Sequence, residues 1–250
     1  MNLKLKEFLR KKLNFIKAVY HSNNLTELAK IYRADKWGRH FYTIHYGSHF
    51  RKFRYKKIKL LEIGVGGDEN PKGGGSSLRM WKKFFPFGKI FSLDIYDKSY
   101  HEERRIKIFM GSQADKPFLE KVMSEIGNPD LIIDDGSHVN GHVIETFKLL
   151  FPYLKEGGIY VVEDMLTSYY EHFGGDSKDL NNPVTMMNFF KKQVDGLNFS
   201  EFQQYGYQPT YFDQHIISMH FYHNMVFVYK GTHDEPSGVV ENYISSDPFR

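Results

Sequence analysis

The sequence predicts an α/β fold: a doubly wound, largely parallel sheet with a reversed C-terminal β-hairpin and an N-terminal helical arm. Three observations predict it. From residue 58 onward, short apolar runs of strand type alternate with segments of helical period. The runs 58–65, 89–95, 106–110, 130–135 and 158–164 are nearly continuous in apolar residues, as strands covered on both faces by helices must be. The pattern then changes: 215–223 and 225–231 meet at Asn224, a short turn that predicts an antiparallel hairpin.

The elements follow in order. In 3–20, Leu5, Leu9 and Leu13 recur every four residues beside Phe8 and Ile16, while Lys4, Arg10, Lys11, Lys12 and Lys17 fall mainly on the other side. This is a basic amphipathic helix, expected to pack its Leu face on the body or on a second subunit of a homo-oligomer. A second helix is expected over 25–32, then an aromatic and His-rich stretch, 37–46, and a basic run from Arg51 to Lys59. Between the strands, helices are expected over 76–85, 116–126, 138–153 and 183–193. The division is an arm over 1–56, an α/β domain over 57–235 and a tail over 236–250.

Composition narrows the class. A chain of 250 residues suits one large α/β domain with an appendage. With no Cys, a disulfide scaffold, a thiolate metal site and a Cys nucleophile are all excluded. Aromatic residues at 16% and charged residues at 26% argue for a packed core rather than disorder. The net charge of +4 conceals a division, since residues 1–60 hold 16 Lys and Arg against 3 Asp and Glu, a local +13. The rest of the chain carries −9, with 18 basic against 27 acidic residues. No run approaches the ~20 apolar residues that span a bilayer, and Lys and Arg interrupt the apolar residues of the N-terminus. The expectation is a soluble protein of a reducing cytoplasm.

The chemistry concentrates at strand ends. The first strand closes in Glu62-Ile63-Gly64-Val65-Gly66-Gly67, a turn that lets backbone pass close beside a ligand. The insertion DENPKGGGSS separates it from the next helix, so it departs from a dinucleotide fingerprint. An acid before a glycine pair suits a ligand with an ammonium and hydroxyls better than one with phosphates. Asp94 ends the second strand, where an acid meets ribose hydroxyls. The third leads into Gly111-Ser112-Gln113-Ala114-Asp115, a polar turn placed for an adenine edge, with Ser112 or Asp115 equally able to cap the next helix.

Asp134-Asp135-Gly136-Ser137-His138 ends the fourth strand and Glu163-Asp164 the fifth. Neighbouring strands lie ~4.8 Å apart, so these carboxylates converge at one sheet edge and repel unless a cation neutralises them. Oxygen ligands select a hard ion, Mg²⁺ ahead of Mn²⁺ or Ca²⁺. A neutral His138 beside it is a natural general base. His142 lies four residues further on, so an HxxxH metal site is an alternative. Tyr169, Tyr170 and 173–175 could wall an acceptor pocket.

These residues resemble the metal-dependent S-adenosylmethionine sugar O-methyltransferases of the macrocin and mycinamicin type, with cephalosporin-hydroxylase-like proteins related by fold. The likeness covers about 28–230 and rests on DKWG…HFYTIHY, LLEIGVGG, LDI, GSQAD, LIIDDGSHVNGHVIETFKLLFPYLKEGGIYVVED and the closing hairpin. It implies a class I methyltransferase (Rossmann-like) domain over 57–235. It implies that Glu62, Gly64, Gly66, Gly67, Ser77, Asp94, Ser112 and Gln113 line the S-adenosylmethionine site, that Asp135, Glu163 and Asp164 hold Mg²⁺, and that His138 is the base. Asp134 would support the metal ligands or approach the cofactor. The auxiliary domain preceding this region in the macrolide enzymes is expected to be replaced here by a basic stretch of about 55 residues.

The implied reaction is O-methylation of a sugar or nucleotide-sugar in polysaccharide or natural-product biosynthesis. The competing readings are an RNA methyltransferase, prompted by the basic arm, a catechol-type small-molecule methyltransferase, and a non-catalytic S-adenosylmethionine-binding protein. A chelating carboxylate set fits a diol better than RNA, so no nucleic-acid partner is expected. Intact DDGSH and VED argue against a non-catalytic role. A hydroxylase is the least expected reading, since the sequence shows no convincing facial triad of two His and one carboxylate.

Overall fold

Why a chain with so basic a beginning closes around an acidic sheet edge is answered by the order of its strands. A computed structural model describes residues 3–202 and 205–233. The tail expected over 236–250 lies outside the described residues. The helices are α1 (Leu3–Tyr20), α2 (Leu25–Tyr32), α3 (Thr43–Phe50), α4 (Ser76–Phe84), α5 (Lys116–Ile126), α6 (Asn140–Leu150), α7 (Met186–Gly196) and α8 (Tyr211–His215). The strands are β1 (Lys59–Ile63), β2 (Lys89–Asp94), β3 (Ile106–Met110), β4 (Leu131–Asp134), β5 (Ile159–Val162), β6 (Ile216–Tyr222) and β7 (Met225–Lys230). The seven form one sheet in the order β3-β2-β1-β4-β5-β7-β6. β1 to β5 are parallel, and β7 runs antiparallel to both β5 and β6. The sheet reverses its winding between β1 and β4, the place where ligands of such folds bind, beyond the strand C-termini.

Strand alternation divides the core into two layers. Leu60, Leu131, Ile133, Ile159, Val161 and Phe227 face one side, against α2, α3 and α4. Leu61, Ile63, Ile132, Tyr160, Val162, Val226 and Val228 face the other, against α5, α6 and α7. Each large apolar side chain so buried contributes about 1.5–3 kcal/mol.

Three expectations change. Leu25, Leu28, Ala29, Tyr46, Phe50 and Phe53 share one core with β1, β4 and α4. The core therefore has no break at residues 56 and 57, because α2 and α3 form one covering layer of the sheet rather than an appendage. Among the described side chains of α1, only Ala18 is buried, while Leu5, Leu9 and Leu13 are each about half exposed, at 48%, 46% and 51%. Its Leu face does not pack on the body. The helix expected over 138–153 is α6 followed by a 3₁₀ turn at Phe151–Tyr153, where Pro152 removes a helical donor. No described helix is long and apolar enough to cross a membrane.

Candidate active site

The turn after β1 is held by close backbone packing. At Gly64, with φ +93°, a Cβ would sit 2.2 Å from the carbonyl oxygen of Asp135, so glycine lets the ends of β1 and β4 touch. At Gly67, with φ +80°, a Cβ would strike the backbone of Gly73 at 2.3 Å. The close approach at these two residues is therefore to the chain itself, while a Cβ at Gly66 would meet nothing nearer than Cα of Gly74, at 3.9 Å. Lys98 fixes the loop, donating to the carbonyls of Asp68 and Asn70, and the ring of His101 pairs with the carbonyl of Gly73.

Glu62 lies behind this turn rather than on its open side. It is fully buried, accepting from the hydroxyl of Ser77 at 2.9 Å and the indole of Trp81 at 3.2 Å. Burial pushes its carboxyl up to about 7, with Lys36 opposing. Asp94 is half-buried; one oxygen accepts from the backbone N–H of Val65 and the other from that of Tyr96. It thus ties the end of β2 to the glycine turn. Gln113 reaches across from β3: its amide donates to Asp134 and Thr146, and its oxygen accepts from the N–H of Ser137. Ser112 accepts from the N–H of Ala114, and Asp115 caps α5 through the N–H of Phe118. Asp134 faces the α6 side of the sheet, beside Gln113 and the hydroxyl of Tyr160, and burial raises its carboxyl to about 7.

The strand ends of β4 and β5 bring the acids together. Register pairs Asp134 with Val162, and the N–H of Glu163 donates to the carbonyl of Asp134 at 3.0 Å. One donor atom each from Asp135, His138 and Asp164 lies within 4.8 Å of the others. Nε2 of His138 is 3.9 Å from Oδ1 of Asp135 and 3.7 Å from Oδ2 of Asp164. His138 and Asp164 both hold left-handed backbones, at φ +55° and +52°, a conformation that costs a non-glycine residue about 1–2 kcal/mol. A single hydroxyl supports both: Oγ1 of Thr167 is 2.8 Å from the carbonyl of His138 and 3.2 Å from that of Asp164. Asn140 locks the segment, donating to the carbonyls of Thr167 and Phe173 and accepting from the N–H of Met186. Ser137 occupies the Nδ1 face of His142, which stands apart from the gathered donors.

Glu163, adjacent in sequence, points the other way. Its Oε2 accepts from Lys36 at 2.7 Å and its Oε1 from the hydroxyl of Tyr46. Lys36, 1% exposed, also donates to Oδ2 of Asp135 and lies 3.9 Å from Glu62. Tyr42 donates to Oδ1 of Asp164 at 2.6 Å. The segment 36–46 therefore holds the back of each carboxylate and leaves Oδ1 of Asp135 and Oδ2 of Asp164 facing His138. Lys36, Tyr42, Tyr46 and Thr167 are the residues that sequence reasoning missed. The DKWG…HFYTIHY stretch marked the segment, but nothing in its pattern showed where Lys36 or the tyrosines would point.

Charge explains the pairing. Burial lowers the ammonium of Lys36, but Asp135, Glu163 and Glu62 outweigh it and hold Lys36 well above the usual lysine range. Burial, then Asp135, raises Glu163 well above the carboxylate range against the pull of Lys36. Burial likewise raises Asp135. One buried ammonium thus leaves the carboxylates short of positive charge, and the open oxygens beside an imidazole form a donor set suited to a hard divalent cation.

No family model matches the chain. It is 43% identical over 226 residues to the demethylmacrocin O-methyltransferase of Streptomyces fradiae, a match covering 90% of this chain and 57% of that protein. It is equally 43% identical over 226 residues to the mycinamicin VI 2''-O-methyltransferase of Micromonospora griseorubida, covering 90% of this chain and 56% of that one. The chain therefore spans little more than half the length of these relatives. Among solved structures it matches the MycE methyltransferase from the mycinamycin biosynthetic pathway in complex with Mg and SAH, with a TM-score of 0.85 and 43% identity over 87% of this chain and 57% of that one. The sheet is that of a class I, Rossmann-like methyltransferase, and the chain is a homologue of the macrocin and mycinamicin sugar O-methyltransferases.

Proposed function

We propose that the protein is a Mg²⁺-dependent O-methyltransferase that moves a methyl group from S-adenosylmethionine to a sugar hydroxyl. The observation that carries this reading is the convergence of Asp135, Asp164 and His138 at the ends of β4 and β5. The relatives' names support the acceptor class: they give demethylmacrocin, mycinamicin VI and 8-demethyl-8-alpha-L-rhamnosyl tetracenomycin-C as the molecules methylated on oxygen.

The cofactor would lie across the C-terminal ends of β1, β2 and β3, against Gly64, Gly66, Gly67, Asp94, Ser112 and Gln113. Glu62, Ser77 and Asp134 would support that surface from behind. Asp135 and Asp164 would hold the cation through their open oxygens, with Glu163 completing the carboxylate set. When bound, Mg²⁺ supplies the positive charge that lowers the pKa of the acceptor hydroxyl, and S-adenosylmethionine supplies an electrophilic methyl group.

The chain's own residues do the rest. His138 takes the hydroxyl proton on Nε2. The deprotonated oxygen would then take the methyl group as the carbon–sulfur bond of the donor breaks, the electron pair of that bond leaving with sulfur as a thioether. The left-handed backbone of His138, braced by Thr167, keeps the ring aimed at this position, and such positioning removes much of the entropic barrier. Exposed Tyr169 and Tyr170 lie just beyond Asp164 and would meet the acceptor.

The acceptor is a sugar hydroxyl, carried on a nucleotide or on a glycosylated small molecule. A labelled-methyl assay against nucleotide-sugars, glycosylated macrolides, RNA and catechols, with and without Mg²⁺, tests the reading. Mg²⁺-dependent incorporation into at least one sugar is expected. Incorporation confined to RNA or to catechols would overturn it.

A further inference from the structure

Lys36 has no part in the reaction just described, yet it is among the largest fully buried side chains of the molecule. Its ammonium spans residues far apart in sequence, donating to Asp135 and to Glu163 with Glu62 at 3.9 Å. It comes from the loop between α2 and α3, not from the strand ends that carry the acids. That loop is pinned by backbone bonds: the N–H groups of Tyr42 and Thr43 donate to the carbonyl of Lys36, at 3.1 and 3.3 Å. The ammonium is therefore a fixed feature of the site and cannot swing out to solvent as a surface lysine does.

From this juxtaposition we infer that Lys36 is a resident monovalent counter-ion: it keeps the carboxylates of Asp135 and Glu163 assembled, and it sets how tightly the adjoining donors bind a divalent cation. The inference rests on the metal-dependent reading of the site. A positive charge bonded to one oxygen of Asp135 repels a divalent ion at the other oxygen of the same carboxylate. Inside a protein, where the effective dielectric is far below that of water, such repulsion is large at these separations. Lys36 also occupies Oε2 of Glu163, while Tyr46 occupies Oε1. A divalent ion can then recruit Glu163 only in competition with both donors. Lys36 thus weakens the ion's hold and keeps it exchangeable, and it prevents the empty carboxylate set from flying apart. It is a positioning residue and touches no substrate.

The sign of this effect separates it from a merely structural role. A lysine that only held the fold would, on removal, loosen the site and weaken metal binding. A counter-ion on removal leaves the carboxylates more negative and strengthens it. The experiment titrates the full chain with Mn²⁺ alone, reading bound ion by electron paramagnetic resonance and the metal-dependent shift in Tm, for wild type, Lys36→Met, Lys36→Gln and Lys36→Arg.

Lys36→Met and Lys36→Gln should bind Mn²⁺ at least tenfold more tightly than wild type, and their Tm should fall without metal and recover with it. Lys36→Arg should stay within about threefold of wild type. If both neutral variants are unfolded without metal, Mn²⁺ should restore their folding more strongly than it stabilises wild type. Unchanged or weaker Mn²⁺ affinity in the neutral variants, or no rescue by metal, overturns the counter-ion role and leaves the metal-dependent reading standing. Absence of Mn²⁺ binding by wild type overturns both together.

Discussion

Two segments of the basic N-terminal region have opposite fates. Among the described side chains of α1, apolar and cationic ones alike face solvent, and only Ala18 is buried. In 36–46, a lysine and two tyrosines sink to the sheet edge and bond to three acids. The difference is one of partners. Residues 36–46 follow α2, whose Leu25, Leu28 and Ala29 are built into the core, so the segment is delivered to the strand ends. α1 precedes that anchor and its Leu stripe meets no strand. The +13 of residues 1–60 therefore describes two things: charge left in water, and a charge paired with the carboxylates at the sheet edge.

Variants sharpen this contrast, beginning with the group that the buried segment serves. His138→Ala should lower turnover by about 10²–10⁴-fold, the usual contribution of a general base, while S-adenosylmethionine binding measured by calorimetry persists. Loss of cofactor binding in this variant would assign His138 to the cofactor surface instead.

Tyr46→Phe should cost about 1–3 kcal/mol in a denaturant titration, because it strips Oε1 of Glu163 of its donor in a buried place. Next in size is an acid sensitivity of α3. His49, beside Tyr222, Tyr229 and His220, has its imidazole pulled down to about 4 from 6.5 by burial, then by His220, His45 and Lys52. Between those two pH values the unfolded chain takes a proton that the folded chain refuses, so stability falls as pH drops from 6.5 towards 4. His49→Phe should flatten the Tm-versus-pH curve over that window; an unchanged slope would exclude His49 as its source.

The smallest effect should come from the exposed end. Leu9→Ser with Leu13→Ser should change unfolding free energy by no more than about 0.5 kcal/mol, since neither side chain leaves a core. A loss several times larger would mean that α1 is covered in solution.

What could be read from sequence was what periodicity and spacing encode. Strand runs ending in Gly64, Asp94, Asp134 and Glu163 place those residues at one edge once the sheet is parallel. α3 was not legible. Its sequence, TIHYGSHF, holds His, Gly and β-branched or aromatic residues of modest helix propensity, and it forms because Tyr46 and Phe50 pack on Trp81 and Phe227.

Nor could sequence separate Glu163 from Asp164. Adjacent residues at a strand end take opposite sides, and only the left-handed backbone at Asp164 and the position of Lys36 settle which acid faces His138. Lys36 itself lies 99 residues from Asp135 and 127 from Glu163, a separation over which composition says nothing. The glycines of the β1 turn were legible as a tight turn, but not that Gly64 and Gly67 would meet backbone of the chain itself.

The central claim is that acids and histidine at the ends of β4 and β5 make a metal-dependent methyl-transfer site. The most direct test is transfer of labelled methyl from S-adenosylmethionine to a sugar acceptor, measured in EDTA and again after Mg²⁺ is restored, for wild type and Asp135→Ala. Wild type should fall silent in EDTA and recover with Mg²⁺, while Asp135→Ala stays silent in both. Undiminished transfer in EDTA, or by Asp135→Ala, would contradict the account.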